Sequence, residues 1–207
     1  MHFSTIKTNC NIDSTICHIL VAWLRDHGIA KASLGYQYNK IIIRTDSRIK
    51  FDYISLNRGG REIEFEIIER ETIDENSLNL KDKKIQIESL ISYKHTPKNK
   101  FFRDSKHIVK NNQFIANEDQ SVEKVIDNFK KYLNYSMGIT DIQNLEVWET
   151  PSQLLKNSPE KIVYSKGSFI LSFTSTIENK EIFLEACLNG IGLHKSYGYG
   201  YINWREI

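Results

Sequence analysis

Between Gly190 and Gly200 the chain reads Gly-Ile-Gly-Leu-His-Lys-Ser-Tyr-Gly-Tyr-Gly, so four of its ten glycines fall within eleven residues. A helical pattern precedes this stretch. The seven residues after it, Tyr201 to Ile207, read as a closing strand. Glycine permits positive φ and close approach of backbone to another group. The stretch is therefore a loop that carries the chain from a helix directly into a last strand. Two uses fit it. One is a phosphate site, because a glycine loop around a lysine, here Lys195, offers N–H groups and a cation together. The other is a turn whose glycines only let the strand cross the helix.

Neither of the common nucleotide motifs fits. A Walker loop needs glycine before the Lys-Ser pair and again five residues earlier, where His194 and Asn189 stand. A dinucleotide fingerprint runs from strand to helix, the reverse of the order here.

The rest of the pattern is mixed α and β. Phe3–Lys7 predicts a short strand. Asp13 or Ser14 can cap a helix with Ile16, Ile19, Leu20, Trp23 and Leu24 on its buried stripe and Gly28 as its stop. Ala32–Tyr38, Lys40–Thr45, Phe51–Leu56 and Glu62–Ile68 predict strands. In the last of these, Glu62, Glu64 and Glu66 alternate with Ile63, Phe65 and Ile67, which places the acids on a solvent face. Thr72–Asp82 is polar and predicts a linker. Lys84–Tyr93 begins a second half. Ser121 opens a helix with Val122, Val125, Ile126, Phe129 and Leu133 on one face. Leu145–Trp148 predicts a short strand, and Lys161–Tyr164 with Ser168–Thr174 a hairpin around Gly167. Ile182, Phe183, Ala186 and Cys187 mark the last helix.

The second half thus reads β-α-β-β-α-β, and the first half starts the same way. The expected fold class is α+β, with tandem ferredoxin-like (RRM-like) βαββαβ domains at residues 1–80 and 81–207. Such a fold hosts many functions and selects none.

With 28 Lys and Arg against 26 Asp and Glu, whole-chain charge identifies no partner. Its distribution says more. Residues 61–88 carry nine acids against five bases. Residues 94–110 carry Lys94, Lys98, Lys100, Arg103, Lys106 and Lys110 against Asp104 alone, with Phe101 and Phe102 among them. Basic residues interleaved with aromatics suit a nucleic-acid footprint, and equally a solvated loop. Cys10, Cys17 and Cys187 lack metal-ligand spacing and read as reduced cytosolic thiols. No apolar run approaches a membrane span, and no signal peptide is apparent at the N-terminus. The expectations are a cytoplasmic chain with no metal, no cofactor and no membrane partner.

The Gly-x-Gly-x-x-Lys-Ser-x-Gly-x-Gly pattern, placed after a helix and running into the last strand, resembles the RAMP superfamily of CRISPR proteins. More closely it resembles the CasE-type RNA-processing endoribonucleases of Cascade. Lys161 opening a hairpin, the strand Gly167-Ser-Phe-Ile-Leu-Ser-Phe173 and the segment Tyr93-Lys-His-Thr-Pro-Lys98 resemble that family too. The resemblance implies a metal-independent endoribonuclease that binds a CRISPR repeat hairpin and cuts precursor CRISPR RNA, leaving a 2′,3′-cyclic phosphate and a 5′-hydroxyl. It implies a Cascade-like complex as partner. A non-catalytic RAMP subunit that binds guide RNA is the alternative, and a small-molecule phosphate binder a third reading.

The chemistry asks for a proton-transfer group, a cation for the pentacoordinate phosphate, and a splayed nucleotide. The resemblance points to His18 as the acid–base residue, on the helix where the family keeps its histidine. The other reading of His18 is a helix histidine packing beside Trp23. His2, His27 and His194 are rivals. Lys161 is the matched residue for phosphate stabilisation. Some family members hold a tyrosine near the histidine. None lies between residues 10 and 30 here, and Tyr36 is nearest. Lys94, Lys98, Lys100, Arg103, Lys106, Lys110, Lys195 and the glycines Gly190, Gly192, Gly198 and Gly200 are the implied RNA contacts. For the glycines, packing between the two halves is the competing role.

Overall fold

The computed structural model describes residues 1–37, 40–58, 60–92, 109–116, 120–150, 154–158, 161–164, 168–192 and 195–207. For 14, 37, 58, 154–158, 161–164 and 197 it describes the backbone alone. The chain is an α+β protein of two ferredoxin-like units in tandem.

The first unit runs β1 (His2–Thr8), α1 (Ser14–Asp26), β2 (Ala32–Gln37), β3 (Lys40–Thr45), β4 (Tyr53–Arg58) and β5 (Arg61–Thr72). Its sheet has the order β2-β3-β1-β5-β4, antiparallel throughout. The first four positions are the ferredoxin-like arrangement. The second crossover helix of that motif is replaced by β4, which hairpins onto β5 at the sheet edge. Asp13, not Ser14, caps α1: its carboxylate accepts the Ile16 N–H at 2.8 Å. Ile6, Ile41, Ile43 and Phe65 point from the sheet to Ile16, Leu20 and Leu24 of α1 and form one core. The alternation in β5 holds, with Ile63, Phe65 and Ile67 buried and Glu62 and Glu66 exposed.

The second unit runs β6 (Lys84–Ser92), β7 (Val109–Lys110), β8 (Gln113–Phe114), α2 (Val122–Met137), β9 (Ile139–Thr150), β10 (Leu154–Ser158), β11 (Lys161–Tyr164), β12 (Ser168–Ile177), α3 (Lys180–Asn189) and β13 (Asn203–Glu206). Its main sheet, β13-β6-β12-β9, has the complete ferredoxin-like order. Phe129 and Leu133 of α2 and Phe183 of α3 meet Ile85, Ile87, Phe169 and Phe173 of the sheet in a second core. Leu80, in the stretch expected to be a linker, is buried in that core, and a 3-10 turn forms at Glu75–Ser77.

Three local expectations need correction. The strand expected at Leu145–Trp148 spans twelve residues, 139 to 150. Its first half hides its period because Asp141 and Asn144 adopt φ of 53° and 51° where its pairing with β12 shifts register. Lys161–Tyr164 does not pair with Ser168–Thr174. β11 pairs with β10, and β12 lies between β6 and β9, so β10–β11 is a separate hairpin inserted between β9 and β12. The end of the basic segment, expected as loop, forms the β7–β8 hairpin. Asn111 and Asn112 take φ of 51° and 58° at its turn. The Asn112 side-chain oxygen accepts the Glu149 N–H at 2.8 Å, tying this hairpin to β9.

Cys17 and Cys187 are buried, and Cys10 is half-buried beside the Thr8 hydroxyl. Burial, with the Asp13 charge adding to it, pushes the Cys17 thiol up to about 12. Burial alone pushes the Cys187 thiol up to about 11. Native protein at pH 8 is expected to release one fast equivalent of chromophore from Ellman's reagent, from Cys10, and the other two only on denaturation. Three fast equivalents would contradict this burial.

Candidate functional site

The two units meet where the face of the first sheet opposite α1 is covered by the second unit. Arg44 stands on that face of β3, where an isolated sheet would leave it in water. It is 4% exposed because the Tyr201 ring covers its guanidinium at 4.2 Å and the Phe3 ring lies 5.1 Å away. Its Nη1 donates to the Ile202 carbonyl. The Ser33 hydroxyl donates to the Cys187 carbonyl at 2.5 Å, and Lys31 pairs with Glu185 at 2.7 Å on the rim. A Cβ at Gly35 would lie 2.8 Å from the Tyr201 ring, so glycine there lets the ring seat flat on β2.

The glycine loop is the second part of this junction. It leaves α3 at Gly190, makes a 3-10 turn at Lys195–Tyr197 and returns to β13. That turn packs against α1 and β2. A Cβ at Gly198 would stand 3.1 Å from the Tyr36 ring and 3.3 Å from Cys17 Sγ, so the loop backbone sits against both. Helix α1 is therefore covered on two sides, by its own sheet and by this loop. That explains why Cys17 and Val21 are buried as well as the expected stripe.

The N–H groups of the four glycines are engaged inside the protein. Gly190 donates to the Ala186 carbonyl at 2.7 Å and Gly192 to the Tyr132 hydroxyl at 3.3 Å. Gly198 donates to the Lys195 carbonyl at 3.1 Å and Gly200 to the Leu90 carbonyl at 2.6 Å. These four N–H groups are directed at acceptors within the protein. Lys195 differs. It is half-buried, and burial holds its amine below the ordinary lysine range. It borders an open groove of about 700 Å³ with Tyr132, Ser136 and Asn189.

His18 lies half-buried on α1 with Nδ1 3.1 Å from the Ser196 hydroxyl. Trp23 takes its ring contacts elsewhere: it stacks on His27 at 3.6 Å and meets Phe51 edge-on at 4.4 Å. His27 donates from Nδ1 to the Trp23 carbonyl of its own helix, 2.8 Å away, and His2 pairs Nδ1 with the Thr72 hydroxyl at 3.0 Å. Among the histidines whose surroundings are described, His18 alone sits at the loop. His194, Lys94, Lys98, Lys100, Arg103 and Lys106 lie outside the described residues. Lys110 is exposed on β7. Lys161 is the first residue of β11, in the hairpin whose β10 comes up against α1. Beside the loop, Gly35, Tyr36 and Ile42 of the first unit and Leu90, Ile170 and Tyr201 of the second line a cleft of about 230 Å³.

Sequence reasoning missed Ser196, which is an ordinary loop serine until the fold brings it to His18. It missed Arg44 as well. A lone arginine in an otherwise isoleucine-rich strand, Lys40-Ile-Ile-Ile-Arg-Thr45, was the available signal.

Among the described residues, no group of three or more His, Cys, Asp or Glu is placed to hold a metal ion, and no helix is long and apolar enough to cross a membrane. No family model and no curated protein matches the sequence. Solved structures do. The CRISPR-associated protein Cas6e from Escherichia coli K-12 is similar over 100% of both chains, at 12% identity and a TM-score of 0.60. Thermus thermophilus Cse3, bound to an RNA representing a pre-cleavage complex, is similar over 99% of this chain and 100% of its own, at 9% identity and a TM-score of 0.58. A chain of a CRISPR RNA-guided surveillance complex is similar over 100% of both, at 12% identity and a TM-score of 0.58. The likeness extends over the whole chain, and at these identities it is a likeness of fold: two ferredoxin-like units arranged as in Cas6e and Cse3.

Proposed function

We propose that this chain is a metal-independent endoribonuclease that binds the repeat hairpin of precursor CRISPR RNA and cuts it in the cytoplasm. The observation that carries this reading is the place of His18, at the junction of the two units and against the glycine loop. The full-length likeness to a Cse3 structure bound to RNA supports it.

In the reaction the 2′-hydroxyl attacks the adjacent phosphorus and loses its proton. The P–O5′ bond breaks, and the 5′-oxygen gains a proton. The products are a 2′,3′-cyclic phosphate and a 5′-hydroxyl, with no water consumed. Imidazole suits either proton transfer because its pKa lies near neutrality. Lys161 and Lys195 are the cations proposed to offset charge on the phosphorane and its neighbours. The glycines act by fixing the loop. The basic segment 94–110 is proposed to bind the hairpin, whose A-form stem offers phosphates and shape more than base edges. Other subunits of a Cascade-like complex are the proposed protein partners.

The test is cleavage of a labelled hairpin repeat RNA from the same genome, in EDTA, with analysis of both product ends. One cut leaving a cyclic phosphate supports the reading. A requirement for divalent metal sinks it. Tight binding without a cut favours the non-catalytic RAMP subunit, and nucleotide binding without RNA binding the small-molecule reading. In the same assay Lys110→Ala is expected to weaken RNA binding and lower the slope of log Kd against log salt by about 1. An unchanged slope would place Lys110 off the RNA.

A further inference from the structure

We infer that Ser196 is a positioning residue for His18: its hydroxyl, supplied by the second unit, engages Nδ1 and fixes the orientation of the imidazole on the first. This rests on the proposal that His18 transfers a proton.

Neutral imidazole carries one proton, on either ring nitrogen, and the partner of one nitrogen decides the state of the other. The Ser196 hydroxyl stands 3.1 Å from Nδ1, within hydrogen-bond distance. The hydroxyl can donate to a bare Nδ1 or accept from Nδ1–H, and the imidazolium, the form that protonates a leaving oxygen, keeps the bond through Nδ1–H. When the neutral ring donates from Nδ1–H to the hydroxyl, Nε2 is bare and basic. In each case Nδ1 is committed to Ser196 and proton transfer is assigned to Nε2.

The hydroxyl is held in place from several directions. Ser196 is the middle residue of the Lys195–Tyr197 turn, which the Gly198 N–H closes onto the Lys195 carbonyl at 3.1 Å. Gly198 then seats against Tyr36 and Cys17, and Gly200 is bonded to β6 through the Leu90 carbonyl. The bond to Ser196 therefore differs in kind from those of the other histidines. His27 bonds a carbonyl of its own helix, and His2 a neighbouring strand of its own sheet. The partner of His18 is 178 residues away in sequence and belongs to the other unit. The orientation of the imidazole thus follows the seating of the two units against each other.

The test compares wild type, Ser196→Ala and Ser196→Thr, with melting temperatures as the check on folding. Long-range 1H–15N spectra of the His18 ring report the hydrogen bonding of each ring nitrogen directly. Single-turnover cleavage and RNA affinity are measured alongside. Ser196→Ala is expected to shift the His18 Nδ1 resonance and to cut about tenfold to a hundredfold more slowly. Its RNA affinity is expected to stay within about twofold, on the scale where 1.4 kcal/mol is tenfold. Ser196→Thr, which keeps the hydroxyl, is expected to restore both readouts. A wild-type ring spectrum in Ser196→Ala overturns the inference, as does cleavage at the wild-type rate. If wild type does not cut RNA at all, the nuclease reading fails, and the ring spectra still decide whether Ser196 holds Nδ1.

Discussion

His18→Ala is expected to slow RNA cleavage by about a thousandfold while RNA affinity stays near that of wild type. General acid–base catalysis contributes roughly 10²–10⁴ in rate, and removing the imidazole removes that contribution whole. Affinity is expected to hold because phosphate contacts, which usually dominate nucleic-acid binding, are proposed for the lysines and not for His18. Folding is expected to hold as well. The His18 side chain is half-buried, and the core of α1 is carried by Ile16, Leu20 and Leu24. The measurement is a single-turnover time course in EDTA at saturating protein, with a binding titration beside it. A variant that cuts at the wild-type rate would make His18 a structural residue and move attention to His194.

Gly200→Ala is expected to be the most damaging single methyl group in the loop, costing about 3–5 kcal/mol. For a chain of this size that corresponds to a fall in melting temperature of about 10 °C. The φ of Gly200 is +79°, and a Cβ built there lies 1.8 Å from the Ile191 carbonyl oxygen. That oxygen is backbone and cannot swing aside. Gly200 is also bonded on both sides, donating to Leu90 and accepting from the Ile191 N–H at 2.9 Å, so relief requires breaking the loop from β6. Gly28→Ala is the internal control. Its φ is +89°, yet nothing lies within 4 Å of a Cβ there. It should cost only the left-handed backbone penalty, about 1–2 kcal/mol. Equal losses at the two positions would show that the clash at Gly200 is relieved elsewhere.

Much of the fold was legible because the pattern is local. The Ile16–Leu24 stripe, the Glu–Ile alternation of β5 and the Phe129–Leu133 face of α2 each repeat at the period of their element. What was hidden depends on distant neighbours or on irregular backbone. Two positive-φ residues broke the period of β9, and the pairing of β11 with β10 is a matter of which strand lies beside which. The α2 stripe continues to Met137, and Val122 is 41% exposed, because the helix rolls to place residues 125, 129, 133 and 137 on the sheet. At the candidate site, His18 and the glycines were visible as residue types. Ser196 and Arg44 were not, since each acquires its role from a partner more than 150 residues away.

That separation also sets a clock. Ribosomes make about 5–20 residues per second, so His18 emerges about 10–35 s before Ser196 exists to meet it. The first unit has its own core and can collapse in that interval, with the Arg44 face still wet and the imidazole without its serine. A nascent chain is thus able to fold its first half before the second exists, and the contact between His18 and Ser196 is among the last to form.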